Sequence, residues 1–344
     1  MGGKALKNAF TRRFPAVEFR PLADEVVARI ERRLPGTKPV AIPWLRDKAD
    51  FGDLDVLLDS GALPGDWIET VKDEFRPTEI VNGGFVRSLD VRELQVDLIL
   101  APTEARKHTL AYLSHSDLGN LMGRVAKRLG FVLAMEGLRY VVRDSDHTFR
   151  EILVTSEPTE SFAFLGYDLE RADLGFDDRE ALFEYLVSSP YATSDVFLGR
   201  RKSHEARRKV ERRPTHAAFL AWLETRHPSE TEPEDDDEER RENERKAQLE
   251  RAFVKFPSLR ETLDRALDEL DVTRRFRKRF DARAVAERTG LAGKELGGFL
   301  SRLRALHAES PDEQAKIIAN LSEEAFLAAV DRLAAEEGLP KSTA

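Results

Sequence analysis

Two aspartates stand two residues apart in a run otherwise made of strand-forming apolar side chains, Phe51-Gly52-Asp53-Leu54-Asp55-Val56-Leu57-Leu58. A strand alternates its side chains between two faces, so Asp53 and Asp55 fall side by side on one face. Leu54, Val56 and Leu58 fall on the other, toward a core. Adjacent like charges repel unless something neutralises them, and a hard, oxygen-seeking divalent cation does so. A third aspartate, Asp97, occupies a second such run, Leu94-Gln95-Val96-Asp97-Leu98-Ile99-Leu100. A carboxylate between Val96 and Leu98 is costly without a partner. An Asp-x-Asp at a strand end also occurs as a solvated edge or a turn entry. Adding Asp97 tips the balance to metal, because three carboxylates on two apolar strands are what two-metal phosphoryl transfer requires.

The elements that must hold these side chains are readable from periodicity. A helix is expected over Pro21 to Leu34, with Leu22, Val26, Val27, Ile30 and Leu34 at helical spacing and Pro35-Gly36 ending it. A strand from Lys38 to Ile42 precedes the Asp53/Asp55 strand. Asp66 to Phe75 reads as a helix. Strands follow at Thr78 to Val81, Phe85 to Leu89 and Leu94 to Leu100, with Asn82-Gly83-Gly84 as a turn. Beyond them come helices at Thr103 to Leu113 and Leu118 to Leu129, the second capped by His115-Ser116-Asp117 and stopped by Gly130. A hairpin over residues 131–143 follows, then a helix opened by Ser156-Glu157 in capping-box style, and another from Asp178 to Leu186. The expected domains are 1–110, a mixed α/β layer; 111–198, a small α/β subdomain; 199–228, a basic helical segment; 229–250, an acidic linker or exposed helix; and 251–344, all helical.

Composition narrows the class. The chain has 344 residues, 41% hydrophobic and 34% charged, with no cysteine and a formal net charge of −8. No apolar run approaches membrane-spanning length, and the absence of cysteine fits a cytoplasmic setting. The charge is uneven. Arg200, Arg201, Lys202, Arg207, Arg208, Lys209, Arg212 and Arg213 cluster against two glutamates, followed by an acidic run at Glu230–Glu239. Such a cluster suits a nucleic-acid backbone or a solvated helix paired to that acidic run. Arg274, Arg275, Arg277, Lys278 and Arg279, interleaved with Phe276 and Phe280, form a second, smaller patch. The histidines show no zinc-ligand spacing. His115 suits a turn or cap, and Trp67 and Trp222 suit a core.

With these residues laid out, the chain resembles the DNA polymerase beta superfamily of nucleotidyltransferases, family X polymerases most closely. The likeness rests on Gly52-Asp53-Leu54-Asp55-Val56-Leu57-Leu58 with Arg46 and Lys48 upstream, on Val96-Asp97-Leu98-Ile99-Leu100-Ala101-Pro102, on Tyr112 to Asn120 followed by Arg124 and Lys127 to Phe131, and on Ser156-Glu157 through Phe164. It covers roughly residues 20–170. The resemblance implies an α+β polymerase-beta-like palm, a mixed sheet flanked by helices, then a small α/β subdomain and an all-helical C-terminal region.

It also implies two Mg²⁺ (or Mn²⁺) ions per site, with Asp53 and Asp55 holding both and Asp97 holding one while helping to deprotonate a nucleic-acid 3′-OH. Arg46, with Lys48, would meet the triphosphate of a (d)NTP. Tyr112 and Asp117 would pack against the nucleotide, Asn120 would reach its base edge and Arg124 the template side. The family's Gly-Ser phosphate cradle aligns with Ile42-Pro43 here, and proline has no N–H to offer a phosphate. Residues 280–297 are similar to the helical segment of CCA-adding tRNA nucleotidyltransferases, and a plain glycine-broken helix pair explains them equally. The expected activity is DNA polymerase X-like addition of nucleoside monophosphates from (d)NTPs to a nucleic-acid 3′-OH. The alternatives are an RNA- or tRNA-end transferase, a catalytically degenerate nucleic-acid-binding or assembly protein, and nucleotide transfer to a protein or small molecule. No membrane partner is expected.

Overall fold

The computed structural model describes residues 5–198, 213–226 and 238–339. They form two compact units, one from Met1–Val141 and Glu151–Pro257, the other from Val142–Arg150 and Ser258–Ala344. The architecture is mixed α+β. The strands are β1 (Phe14–Pro15), β2 (Val40–Ala41), β3 (Asp50–Phe51), β4 (Asp53–Asp59), β5 (Ile80–Gly83), β6 (Val86–Val91), β7 (Leu94–Ala101), β8 (Phe131–Ala134), β9 (Gly137–Asp144) and β10 (His147–Thr155). In the first unit and its connection to the second, the helices are α1 (Ala16–Arg33), α2 (Trp67–Phe75), α3 (Arg106–Leu113), α4 (Leu118–Arg128), α5 (Pro158–Phe164), α6 (Leu169–Asp173), α7 (Arg179–Leu186), α8 (Ser194–Leu198), α9 (Pro214–Arg226) and α10 (Glu238–Lys255).

Five strands make one sheet in the order β2-β4-β7-β6-β5. It is mixed: β4 and β7 run parallel, while β2 with β4, β6 with β7 and β5 with β6 are antiparallel. Alternation sorts its two faces. Leu54, Val56 and Leu58 of β4 join Val96 and Leu98 of β7 in a core closed by Phe19, Leu22, Ala23, Val26 and Ile30 of α1 and Val71 of α2. On the other face, Leu57 and Ile99 form a smaller cluster with Ile42 and Ala101, against which Leu110 and Leu113 of α3 pack. Helices thus cover both faces, as a parallel pair at the centre of a sheet requires.

Helix α1 begins five residues before the expected start, and Pro21 lies inside it. The N–H that Pro21 lacks would have served Val17, in the exposed first turn, so the missing bond falls at the end of the helix where it costs least. The earlier start brings in Phe19, which stacks on Phe51 with ring centroids 3.8 Å apart and planes 3° from parallel. Trp44 meets both rings edge-on. The hairpin after α4 has a third strand, β10, in the three-stranded sheet β10-β9-β8. At α4 the side chain of Asp117 makes no capping bond. At α5 the role expected of Ser156 belongs to Thr155, whose hydroxyl accepts from the Glu157 N–H and donates to Glu160.

The second unit is α11 (Ser258–Arg279), α12 (Ala282–Thr289), α13 (Gly293–Ala305), α14 (Pro311–Asn320) and α15 (Glu323–Glu336), with the β9–β10 hairpin tip. Phe280, Val285, Phe299, Leu303, Ile318, Phe326 and Val330 build its core. The helical unit therefore starts at Ser258 rather than at residue 251, and the boundary expected between 110 and 111 falls inside α3. The basic residues Arg200 to Arg212 and most of the acidic run lie outside the described residues. Among the described residues no helix is long and apolar enough to cross a membrane.

The Phe19–Phe51 stack ties α1 to the residue just ahead of the two aspartates. Phe19→Ala is expected to destabilise the first unit by about 3–4 kcal/mol, measured by urea unfolding. A loss under about 1 kcal/mol would show that the stack is not what fixes α1.

Candidate metal centre

The parallel register between β4 and β7 sets Asp53 opposite Gln95 and Asp55 opposite Asp97. Since i and i+2 share a face, these four side chains form a square on one side of the sheet. One carboxylate oxygen from each of Asp53, Asp55 and Asp97 can be chosen so that all lie within 4.8 Å of one another. All three residues are half-buried. On the next strand Ser88 stands opposite Asp97.

The electrostatics follow from this crowding. Burial pushes the Asp55 carboxyl up to about 7, with the Asp53 and Asp97 charges adding to it. Asp53 is also pushed up, first by burial and then by Asp97. Asp97 is raised by burial, against hydrogen bonds from Ser88 and Gln95 that favour its charged form. The Gln95 amide donates to both carboxylate oxygens of Asp97 at 3.0 Å, while its carbonyl oxygen accepts the Ala5 N–H at 3.0 Å. Lys48 is the near cation. Its ammonium lies 4.4 Å from the Phe51 ring centroid, and burial lowers its pKa against the pull of Asp53 and Asp55. Arg13 is bound to Asp50 at 2.6 Å. Three carboxylates facing one lysine are undercompensated, and their oxygen-only donor set suits a hard divalent cation. The residues present therefore fit a metal ion, and Asp53, Asp55 and Asp97 could hold one.

The other sequence-predicted residues fall into separate groups. Lys48 faces the triad, but Arg46 binds Asp177 at 2.6 Å and the Leu174 carbonyl, and its backbone N–H donates to Phe176. Tyr112, Asn120 and Asp117 form one polar chain. The Tyr112 hydroxyl donates to Asn120 at 3.3 Å, the Asn120 amide to Asp117 at 3.4 Å, and Arg213 reaches Asp117 at 3.6 Å. Gly119 makes this fit possible, since a Cβ there would stand 2.3 Å from the Tyr112 carbonyl. Arg124 donates to the Phe197 carbonyl at 3.1 Å.

At Ile42-Pro43 the Ile42 N–H is given to the Asp55 carbonyl, and the Pro43 carbonyl accepts the His115 N–H at 2.7 Å. His115 and Ser116 both have positive φ, 57° and 71°, so a turn is indeed where His115 serves. Its ring meets Phe176 edge-on at 5.0 Å. In the second patch, Arg274 and Arg277 are paired with Asp144 and Arg275 with Asp271.

Sequence reasoning missed Gln95 and Ser88. Gln95 carried a signal, since it lies two residues before Asp97 and therefore on the same face. Ser88 carried none, because its place opposite Asp97 depends on strand pairing. No protein-family model matches the chain, and no curated protein matches it.

The triad is expected to make stability depend on pH and, if it holds a cation, on that metal. Unfolded, the Asp55 carboxyl titrates near 3.8, and folded near 7. Between these values the folded chain keeps a proton that the unfolded chain has lost. The stability present below about pH 4 therefore declines as pH rises and is gone above about pH 7. The metal-free melting temperature is expected to fall from about pH 5 to about pH 8, and Mg²⁺ or Mn²⁺ to raise it more at the upper end. Asp55→Asn should flatten both responses in scanning calorimetry. A melting temperature indifferent to either cation at the upper pH would exclude metal binding.

Proposed function

We propose that this chain is a metal-dependent nucleotidyltransferase with a polymerase-beta-like palm, adding nucleoside monophosphates from (d)NTPs to a nucleic-acid 3′-OH. The observation that carries this reading is the β4/β7 register, which gathers Asp53, Asp55 and Asp97 on one face with too little positive charge around them. The polar chain Tyr112–Asn120–Asp117 follows directly in sequence and leads through Arg213 to the basic segment. When bound, divalent cations on these carboxylates would neutralise charge on the attacking and leaving oxygens of an in-line phosphoryl transfer.

In this reading Asp53 and Asp55 bind and orient the metal ions, and Asp97 binds one while accepting the proton of the 3′-OH. Gln95 fixes the Asp97 carboxylate in plane by its paired hydrogen bonds. Lys48 supplies fixed positive charge on the Asp53/Asp55 side. Tyr112 and Asn120 offer a ring and an amide to a base. The basic cluster Arg200–Arg213 contacts backbone phosphates, which release counterions on binding.

Asp97→Ala is expected to lower primer extension with labelled dNTP on gapped DNA by about a hundredfold or more. Unchanged extension would sink the proposal, and preferred labelling of tRNA would move the substrate to an RNA end. Arg46 can meet a triphosphate only by exchanging Asp177 for it. Asp177→Ala should then lower the KM for nucleotide severalfold, whereas a raised KM would make the Arg46–Asp177 pair structural.

One observation favours a second reading, a non-catalytic nucleic-acid-binding protein on the same scaffold. The Ile42-Pro43 stretch, aligned with the family's phosphate cradle, has no N–H left to offer, since Ile42 donates within the sheet and Pro43 has none. Absence of turnover together with no metal-dependent nucleotide binding in calorimetry would support it.

A further inference from the structure

We propose that α12 and α13 form a helix-turn-helix that binds double-stranded DNA, with α13 presented to the major groove. The inference concerns the second unit alone and does not depend on nucleotide transfer at the aspartates. Helix α12 runs for eight residues and ends on Gly290, whose left-handed conformation (φ 69°) reverses the chain. Only Gly290, Leu291 and Ala292 separate it from α13. A short first helix, a three-residue glycine turn and a longer second helix is the helix-turn-helix pattern.

Packing separates the two sides of α13. Phe299 and Leu303 are fully buried, with Leu296 and Leu300 packed against the same core. The opposite side carries Lys294, Gly297, Gly298, Ser301 and Ala305, at spacings that share a helix face. These residues are small apart from Lys294. Gly297 is exposed, and a Cβ there would meet nothing within 4 Å. Packing within the unit therefore does not require a glycine, the poorest helix former after proline, in mid-helix. A partner that must approach the helix backbone closely does.

Charge identifies that partner. From Val272 to Arg304 the sequence has ten Lys or Arg against three acidic residues, Asp281, Glu287 and Glu295. The rest of the helical unit, 258–271 and 305–339, has four basic residues against thirteen acidic ones. The positive charge is thus gathered on the end of α11, on α12 and on α13. Several of these side chains are paired, Arg288 with Asp331 and Arg302 with Glu337 among them. Lys278, Arg283 and Lys294 are exposed and have no carboxylate partner among the described residues. They stand in the last turn of α11 and the first turns of α12 and α13. In a docked helix-turn-helix the first helix crosses the backbone and the start of the second enters the groove. The B-form major groove admits a helix, and the deep, narrow major groove of duplex RNA does not.

The test is binding of the full chain to a closed dumbbell DNA, which has a major groove and no 3′ end, read by fluorescence anisotropy. Gly297→Glu places a carboxylate at the centre of the face, at a position with room for it. It should leave thermal stability equal or higher and weaken dumbbell binding about tenfold or more. Lys294→Ala should weaken binding less and reduce the salt slope by about one. A duplex RNA hairpin should bind more weakly than the DNA, and Asp55→Asn should bind the dumbbell as the parent chain does. Undiminished dumbbell affinity in Gly297→Glu overturns the proposal. So does a dimer that this variant dissolves while DNA binding persists, which would assign the face to a second copy of the chain.

Discussion

Asp55 and Asp97 face each other across a parallel strand pair, and Asp53 stands one pleat away on the same side. Raising the Asp55 carboxyl from 3.8 to about 7 costs on the order of 4 kcal/mol of folding free energy at neutral pH. That is a large part of what a domain has in total. The scaffold withstands it because β4 is covered on both faces. Leu54, Val56 and Leu58 lie under α1, and Leu57 lies with Ile42 and Ile99 beneath α3. Lys48, Gln95 and Ser88 reduce the repulsion without removing it. The site is rigidly placed and electrostatically incomplete, the condition in which an added cation yields the largest return in binding.

A second constraint joins this sheet to the segment that follows. His115 and Ser116 are successive non-glycine residues in the left-handed region, a conformation costing of order 1 kcal/mol each. The turn is held by the His115 N–H on the Pro43 carbonyl, by Ser116 against Thr215 at 2.9 Å and by the His115 ring on Phe176. Arg46 extends the same link through Asp177. The backbone between β2 and β3 is therefore occupied in fixing α3, α4 and the loop after α6 relative to the triad. A segment used as a structural tie has its polar groups committed, and a phosphate would have to be held by side chains instead.

The carboxylate triad was largely legible in the sequence because it follows from period-2 alternation within two strands. Alternation says which face each aspartate occupies, and like charge on one face marks where a cation could be held. What lay beyond the sequence depends on pairing or on long-range packing. Ser88 is beside Asp97 only because β6 is antiparallel to β7. Arg46 is engaged by Asp177, more than a hundred residues away. Helix α1 starts ahead of Pro21, which in the sequence marks a first helical turn, because Phe19 in the preceding turn stacks on Phe51. Strand β10 escaped because its side chains alternate little in polarity, with Thr148, Arg150, Glu151 and Leu153 all exposed. Its place is set by pairing to β9.

The net charge of −8 conceals how the charges are used. Acidic residues dominate where they neutralise arginines along helices, as Asp331 and Glu337 do, and at one point on the sheet they are concentrated beyond what the nearby cations balance. Basic residues dominate in two separate stretches, 200–213 and 272–304, where excess positive charge would gain by displacing counterions from a polyanion. A uniform surface of the same net charge would repel nucleic acid. Segregation leaves stretches of opposite local charge along one chain, and screening limits the reach of each charge to about 10 Å at ordinary salt. Local imbalance, as at Asp53, Asp55 and Asp97, therefore says more about this chain's electrostatics than the sum over its length does.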